Sequence, residues 1–527
     1  MTNRSIYITI LALLTLQMEA NAEKAAQTNA APKLVVSISI DQLRSDYLQA
    51  FLPLYEDNGF KKLMEDGLAF TNAAYPFTPI DRASSIACIG TGVTPYYNNI
   101  IGQDWLSRKT LRTVGCVDDN KYPGLSTSLT ASPANLKTST IGDELKMATM
   151  GKAIVYAVAP YRDAAILSAG HAADGALWID DATGHWCSTS YYYPTLPGWV
   201  QAYNRLKAPA SKIESVQWEP YSLLSANYRY FVQTNDSKPF KHSFKGHDKY
   251  LAYKSSALVN ADMTDISIQC AASTGIGNDN ITDLLSITYY AGCYNHLPLA
   301  ECQMELQDTY VRLDHEISRL TEYFEKTLGK DKVLFVLTGT GYCEDEEADY
   351  TKYRIPTGTF YMNRTGNLMN IYLGAIWGQG LYVEATYRNH FFLNHELLES
   401  KKVTISEATE RAQEFLAMMS GVSNVYTSLQ LLTSQNERLQ KVRNGFTPEH
   451  CGDLLIEVAP GWHILNEETQ KTELSRASLI QFPIIFYGAG THAEKVSSPV
   501  YVDQIAPTIA RSIRIRAPNA CSSEPLF

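Results

Sequence analysis

Five short apolar runs set the limits on what this chain can fold into. Lys33 to Asp41 (KLVVSISID) is largely hydrophobic and ends in an acid. A strand that is apolar along its whole length is buried on both faces, as in a parallel sheet covered by helices. Lys152 to Val158 (KAIVYAV), Leu284 to Tyr289, Lys332 to Thr338 (KVLFVLT) and Phe482 to Tyr487 (FPIIFY) repeat the pattern. Helical stretches alternate with these runs: Asp46 to Leu63 (interrupted by Gly59), Thr140 to Thr149, Leu306 to Leu328, and Ile405 to Ser420. The third is the clearest, with Tyr310, Leu313, Ile317, Leu320 and Phe324 at helical spacing. Strands alternating with helices predict an α/β fold, a mostly parallel central sheet with helices on both faces.

Residues 165–280 read differently. They are rich in Tyr, Trp, Ser and Pro and lack long buried runs, which predicts an inserted cap on the sheet domain. The N-terminus reads as a targeting segment. Arg4 is followed by the apolar stretch Ile6 to Leu16 and by Ala20-Asn21-Ala22, a small-x-small cleavage pattern. The expectation is a signal peptide over residues 1–22, cleaved near Ala22, then a flexible lead-in over 23–32 and one domain over 33–527. The protein is then periplasmic or secreted, with no membrane span. A formal net charge of −10 and no Lys/Arg cluster argue against nucleic acid as a partner. Nine cysteines, an odd number, leave at least one thiol unpaired. Cys88 and Cys116 lie near the motif region and are expected to pair in an oxidising compartment.

In an open parallel sheet, ligands sit at the carboxyl ends of the strands. Asp41 ends the first apolar run and suits a metal, a base or a helix cap. Asp81-Arg82 precedes a helix, where a guanidinium at the helix N-terminus suits an anion, or pairs with Asp81 as an ordinary surface ion pair. Gly339-Thr340-Gly341 follows the fourth run and offers no metal-ligating side chain beyond Thr. The acidic run Glu344 to Asp349 reads as a solvated loop.

The order of motifs VVSISIDQLRSDYL, YPFTPIDRASSIACIGTG, IIGQDW, TSTIGDELKMAT, FVLTGTG, GDLLIEVAPGW and FPIIFYG resembles the alkaline phosphatase superfamily. The nearest branch is the exported phosphate-irrepressible alkaline phosphatases, akin to nucleotide pyrophosphatase/phosphodiesterases. The resemblance runs from about Lys33 to the C-terminus. It implies two zinc ions about 4 Å apart, held by Asp and His, and a Thr or Ser nucleophile.

Carried over residue by residue, the pattern departs from this. The first-strand Asp falls on Asp41. The nucleophile falls on Arg82, which cannot attack phosphorus, and the phosphate-binding Asn falls on Gln103. The Lys and Arg of the phosphate-binding segment fall on Tyr161 and Asp163, with Arg162 between them. The Asp-x-x-x-His ligands fall on Tyr289 and Cys293, with His296 nearby. The Asp-His-Gly string falls on Gly339, Thr340 and Gly341, and the last His falls on Gln481. Asp41 alone cannot hold two zinc ions. The expectation is a pseudo-phosphatase without cofactor, binding an envelope protein or an anionic or glycan ligand. Arg82 is expected to pair with Asp41 in preference to holding an anion. The alternative is an active phosphate-ester hydrolase with a rearranged, zinc-using site, for which His296, His171, His315 and Glu344 to Asp349 are the candidates. His171 reads otherwise as cap structure, and His315 as a helix-surface residue.

Overall fold

The structure, a computed structural model, describes residues 31–228, 230, 240–343, 353–468, 470–473 and 480–527. Eleven strands form the main sheet: β1 (Leu34–Asp41), β2 (Leu68–Ala74), β3 (Gly124–Leu125), β4 (Val155–Val158), β5 (Gly175–Ile179), β6 (Trp186–Thr189), β7 (Asp283–Tyr290), β8 (Val333–Gly339), β9 (Phe482–Gly488), β10 (Glu494–Val496) and β11 (Val500–Tyr501). Their order is β10-β2-β9-β8-β1-β7-β4-β5-β6-β3, and β11 pairs with β2. The run from β8 to β5 is parallel. β9 enters antiparallel between β8 and β2, and β6 and β3 extend the other end antiparallel. All five apolar runs are therefore strands of one sheet, which is mixed with a parallel centre.

Eight main helices accompany it: α1 (Arg82–Thr91), α2 (Ile141–Ala148), α3 (Arg162–Ala169), α4 (Leu258–Thr274), α5 (Leu299–Leu328), α6 (Met362–Trp377), α7 (Ile405–Ala417) and α8 (Ile505–Ser512). Side chains alternate along β1. Val36, Ile38 and Ile40 join the apolar cluster that includes Tyr310, Leu313 and Ile317 of α5. Val35 joins the opposite cluster, with Ile505 and Ile509 of α8. Burying each such Val, Ile or Leu is worth about 1.5–3 kcal/mol, so the central strand is held from both sides.

The helix expected from Asp46 to Leu63 is broken. Ser45–Ala50 and Phe60–Asp66 are helical, with a 3-10 turn at Leu52–Leu54 between them. Buried Asp314 of α5 explains the break. Its carboxylate accepts the backbone N–H of Glu56 and of Phe60, each at 2.7 Å. Burial pushes this carboxyl up to about 6. A Cβ on Gly59 would lie 2.1 Å from the Asp314 Oδ1, so only glycine lets the turn approach α5 this closely.

Residues 165–280 are only partly a cap. β5 and β6 belong to the main sheet, and α4 packs against β7 and α5. The short apolar run GALWI is hidden among Tyr- and Ser-rich segments. A second layer that the periodicity did not predict lies between residues 358 and 473. Antiparallel strands Val383–Tyr387, His390–Leu393, Leu454–Val458 and Val422–Thr427 form a four-stranded sheet under α6 and α7. A three-stranded sheet joins Gly358–Tyr361, Trp462–Asn466 and Lys471–Glu473. The signal segment, most of the lead-in and Glu344 to Asp349 lie outside the described residues. Among the described residues no helix is long and apolar enough to cross a membrane.

Cys88 and Cys116 do not pair. Both are buried thiols, and they sit in separate apolar clusters on either side of α1.

In the second layer, the His390 Nδ1 accepts the Gly452 N–H at 3.0 Å. Burial, aided by Arg388 and Arg108, lowers this imidazole to about 3. The folded form therefore holds it neutral. The unfolded chain takes up that proton first as the pH falls below about 6.5, so its contribution to stability is lost from there down towards pH 3. Between pH 7 and pH 5 the native protein should lose about 2 kcal/mol more stability than a His390→Gln variant, read from urea unfolding midpoints. Equal pH dependence in the two proteins would show that this imidazole is not held neutral.

Candidate active site at the carboxyl edge of the sheet

Parallel register brings three strand ends together. Asp41 lies beside Tyr290, and Ile40 beside Gly339. Asp41 ends β1, and Thr340 follows β8 directly. The Thr340 hydroxyl donates to Asp41 Oδ1 at 2.9 Å and accepts the Gln42 N–H at 2.9 Å. The Tyr342 hydroxyl lies 3.4 Å from Asp41 Oδ2. Ser85 Oγ of α1 donates to the Thr340 carbonyl at 2.7 Å, tying the helix to the strand end.

α1 begins at Arg82 because Asp81 caps it. Asp81 Oδ1 accepts the Ser84 N–H, the Ser84 side chain returns to Asp81, and Asp81 Oδ2 accepts the Gln103 N–H at 2.7 Å. The Asp81 side chain is occupied as a cap, and Arg82 turns the other way. It is buried, only 8% exposed. Its Nε and one terminal nitrogen fork onto Asp163 at 3.1 and 3.2 Å, and the other terminal nitrogen lies 3.5 Å from Asp41. The guanidinium stacks on the Tyr161 ring, 3.8 Å from its centroid. Burial works against the charge, but Asp163 and then Asp41 outweigh it, and Arg82 is held above its ordinary range.

Arg82 thus pairs with Asp41, as expected, but its closer partner is Asp163. That carboxylate comes from the first turn of α3, where a helix N-terminus favours negative charge. The surface-pair reading of Arg82 with Asp81 is ruled out by this burial. Lys254 is a second cation that nothing in the local sequence signals. It is 2% exposed, forms an ion pair with Asp181, and lies over the same Tyr161 ring at 4.4 Å. Burial lowers its ammonium below the ordinary range. Arg162 points elsewhere, to Asp118 at 2.6 Å and the Thr130 carbonyl at 3.1 Å, and does not replace a phosphate-binding Arg.

Several carried-over positions fall away from this cluster. Tyr289 is fully buried, and its hydroxyl bonds Thr264 of α4 at 2.9 Å. Its neighbour Tyr290 is the residue in register with Asp41. Cys293 is half-buried, and His296 is exposed on the turn Tyr294–His296. Gly339 is packed against Phe482 and Leu43. The Gln481 side chain is exposed, and its carbonyl accepts the Ser45 N–H at 2.8 Å. Gln103 contributes its backbone, whose carbonyl accepts the Cys116 N–H at 2.8 Å. His171 bridges Asp143 at 3.1 Å and the Leu136 carbonyl at 3.0 Å, holding the loop after α3 against the start of α2. His315 lies 2.9 Å from Glu56 on the outer side of α5. None of these histidines joins Asp41.

Among the described residues, the donors around Asp41 do not fit two zinc ions: they include an alcohol, a phenol and a guanidinium, and a fixed cation already faces the carboxylate. Among the described residues no group of three or more His, Cys, Asp or Glu side chains is placed to hold a metal.

Residues 35–479 match the family described as type I phosphodiesterase / nucleotide pyrophosphatase, and the chain belongs to that family. It is 28% identical to alkaline phosphatase PhoV of Synechococcus elongatus, over 94% of this chain and 92% of that protein. It is 26% identical to alkaline phosphatase PafA of Elizabethkingia meningoseptica, over 95% of each. The crystal structure of wild-type PafA superimposes with a TM-score of 0.80 at 24% identity, covering 94% of this chain and 98% of that one. The expected superfamily and fold are therefore found. The pseudo-phosphatase expectation is corrected. These two relatives, each matching nearly the whole chain, are alkaline phosphatases, and this favours the phosphate-ester hydrolase alternative over a binding scaffold.

Two outcomes follow from the cluster. Arg82→Met removes the buried cation from Asp163 and Asp41 together and should cost about 3–5 kcal/mol in denaturant unfolding. A change below about 1 kcal/mol would mean the pair is not buried as described. Exhaustive chelation should leave the thermal midpoint unchanged. A drop that zinc restores would show that these donors do hold a metal.

Proposed function

We propose that this chain is a phosphoric ester hydrolase acting at the carboxyl edge of its central sheet, with a centre arranged differently from the two-zinc pattern. The near-full-length likeness to alkaline phosphatases carries the reading. The position of the Asp41–Arg82–Thr340 cluster supports the choice of site, because ligands of such sheets sit where parallel strands end.

The residues divide the work by chemistry. Arg82 is a permanent cation with planar donors suited to phosphoryl oxygens. An ester reaching it competes with Asp41 for the terminal nitrogen that the Asp163 fork leaves over. Asp163 and the Tyr161 ring hold the guanidinium in place, so its donors need little reorganisation as charge develops. Asp41 accepts the Thr340 hydroxyl, a carboxylate–hydroxyl pair able to move a proton once an ester displaces part of the network. An ester with an aromatic leaving group is the simplest probe, since it needs no recognition of the alcohol. We also propose that the chain works outside the cytoplasm, supported by the signal-like N-terminus.

The test is hydrolysis of an aryl phosphate and of a bis-aryl phosphate by the purified full chain, with chelator and with zinc. Turnover above buffer is expected for at least one ester. Asp41→Asn and Arg82→Lys, which preserve size or charge, should each lower it by at least about tenfold. Rates equal to buffer under every condition, or variants as fast as the native chain, would defeat the proposal.

A further inference from the structure

α1 carries Arg82 at its start and ends in a left-handed turn at Gly92, where φ is 67°. The Gly92 N–H bonds the Cys88 carbonyl at 2.8 Å, closing the last turn. Residues four apart on a helix share a face. Cys88 lies one turn before Gly92 and packs in the apolar cluster that includes Ile505 and Ile509 of α8. A Cβ on Gly92 would stand 2.8 Å from the Cys521 sulfur and 3.1 Å from the Asp503 carbonyl. The glycine is what lets the tail thiol approach the end of α1. Cys88 and Cys521 are both thiols here, one buried and the other half-buried. Burial pushes the Cys88 thiol well above its ordinary range, with Asp503 and the Cys521 sulfur adding to the shift.

The tail is already laid down by weak contacts. Ser139 and Asn519 exchange two hydrogen bonds at 3.1 and 2.9 Å. Ser523 bonds Asp503 at 2.7 Å, and the Leu526 N–H bonds Thr508 at 2.9 Å. The Phe527 ring packs edge-on against Phe486 of β9, 5.1 Å between centroids. These contacts hold Cys521 beside the end of α1 before any bond forms.

We propose that Cys88 and Cys521 form a disulfide under oxidising conditions and staple the C-terminal tail to α1. Glutathione disulfide serves as the oxidant. The half-buried Cys521 thiolate attacks it, forming a mixed disulfide and releasing one glutathione thiolate. The Cys88 thiolate then attacks the Cys521 sulfur and displaces the second glutathione. Each protein thiol gives its proton to solvent, and two electrons pass to glutathione disulfide, which becomes two thiols. Burial of Cys88 makes the second step slow at neutral pH and faster in mild alkali.

The experiment is a non-reducing peptide map of the full chain after incubation with glutathione disulfide, with free thiols counted in denaturant before and after. The expected result is a loss of two of the nine thiols, a peptide joining Cys88 to Cys521, and a thermal midpoint above that of the reduced chain. Cys521→Ser should keep the reduced midpoint in either buffer. A map in which Cys88 is alkylated as a free thiol, or is joined to another cysteine, overturns the pairing. A crosslink that leaves the midpoint unmoved overturns the stapling.

Discussion

A guanidinium buried at the end of a parallel sheet must be neutralised where it stands, and most of the local structure follows from that need. Arg82 is supplied with Asp163 from the first turn of α3 and Asp41 from the end of β1. Removing such a charge from water costs several kcal/mol, and only close, well-directed partners offset it. The fork onto Asp163 and the stack on Tyr161 meet that condition. Asp41 needs the arrangement as much as Arg82 does. Its carboxylate is 1% exposed and relies on Thr340, Tyr342 and Arg82 in place of water. The starts of α1 and α3 and the ends of β1 and β8 are thus tied to one electrostatic knot.

The fold and the site were legible to different degrees. Strands buried on both faces announce themselves as unbroken apolar runs, so β1, β4, β7, β8 and β9 could be read directly. The edge strands and the four-stranded second layer could not. Segments such as Val383–Tyr387 are short and half-exposed, and their alternation is lost among polar residues. The interruption at Gly59 is visible in the sequence, but its cause, Asp314, lies far along the chain.

At the site, aligning motifs identified Asp41, Arg82, Thr340, Tyr161 and Asp163 as neighbours. It gave Asp163 no role, because an acid at a position expected to carry a cation looks like a loss. In the structure the cation sits at the start of α1 and the carboxylate in the first turn of α3. Lys254 and Tyr342 were invisible, since only the folded chain brings them to Tyr161 and Asp41. Tyr289 turns its hydroxyl to Thr264 of α4, away from Asp41. In a strand a shift of one turns a side chain to the other face, and Tyr290 is the residue beside Asp41.

A fixed guanidinium and a pair of metal ions can both neutralise a phosphoryl group, but they differ in what else they supply. A metal ion lowers the pKa of a bound hydroxyl and so makes a nucleophile. A guanidinium stays protonated and does not ligate, so it stabilises charge without activating an attacking group. On the proposed reading, with Arg82 at the head of α1, activation falls to a carboxylate, and Asp41 is hydrogen-bonded to a hydroxyl there. That hydroxyl belongs to Thr340, which is fully buried behind the strand end. An ester binding at Arg82, as proposed, competes with Asp41 for the guanidinium. On the proposed reading, binding and activation are coupled through one shared ion pair, the 3.5 Å contact between Arg82 and Asp41.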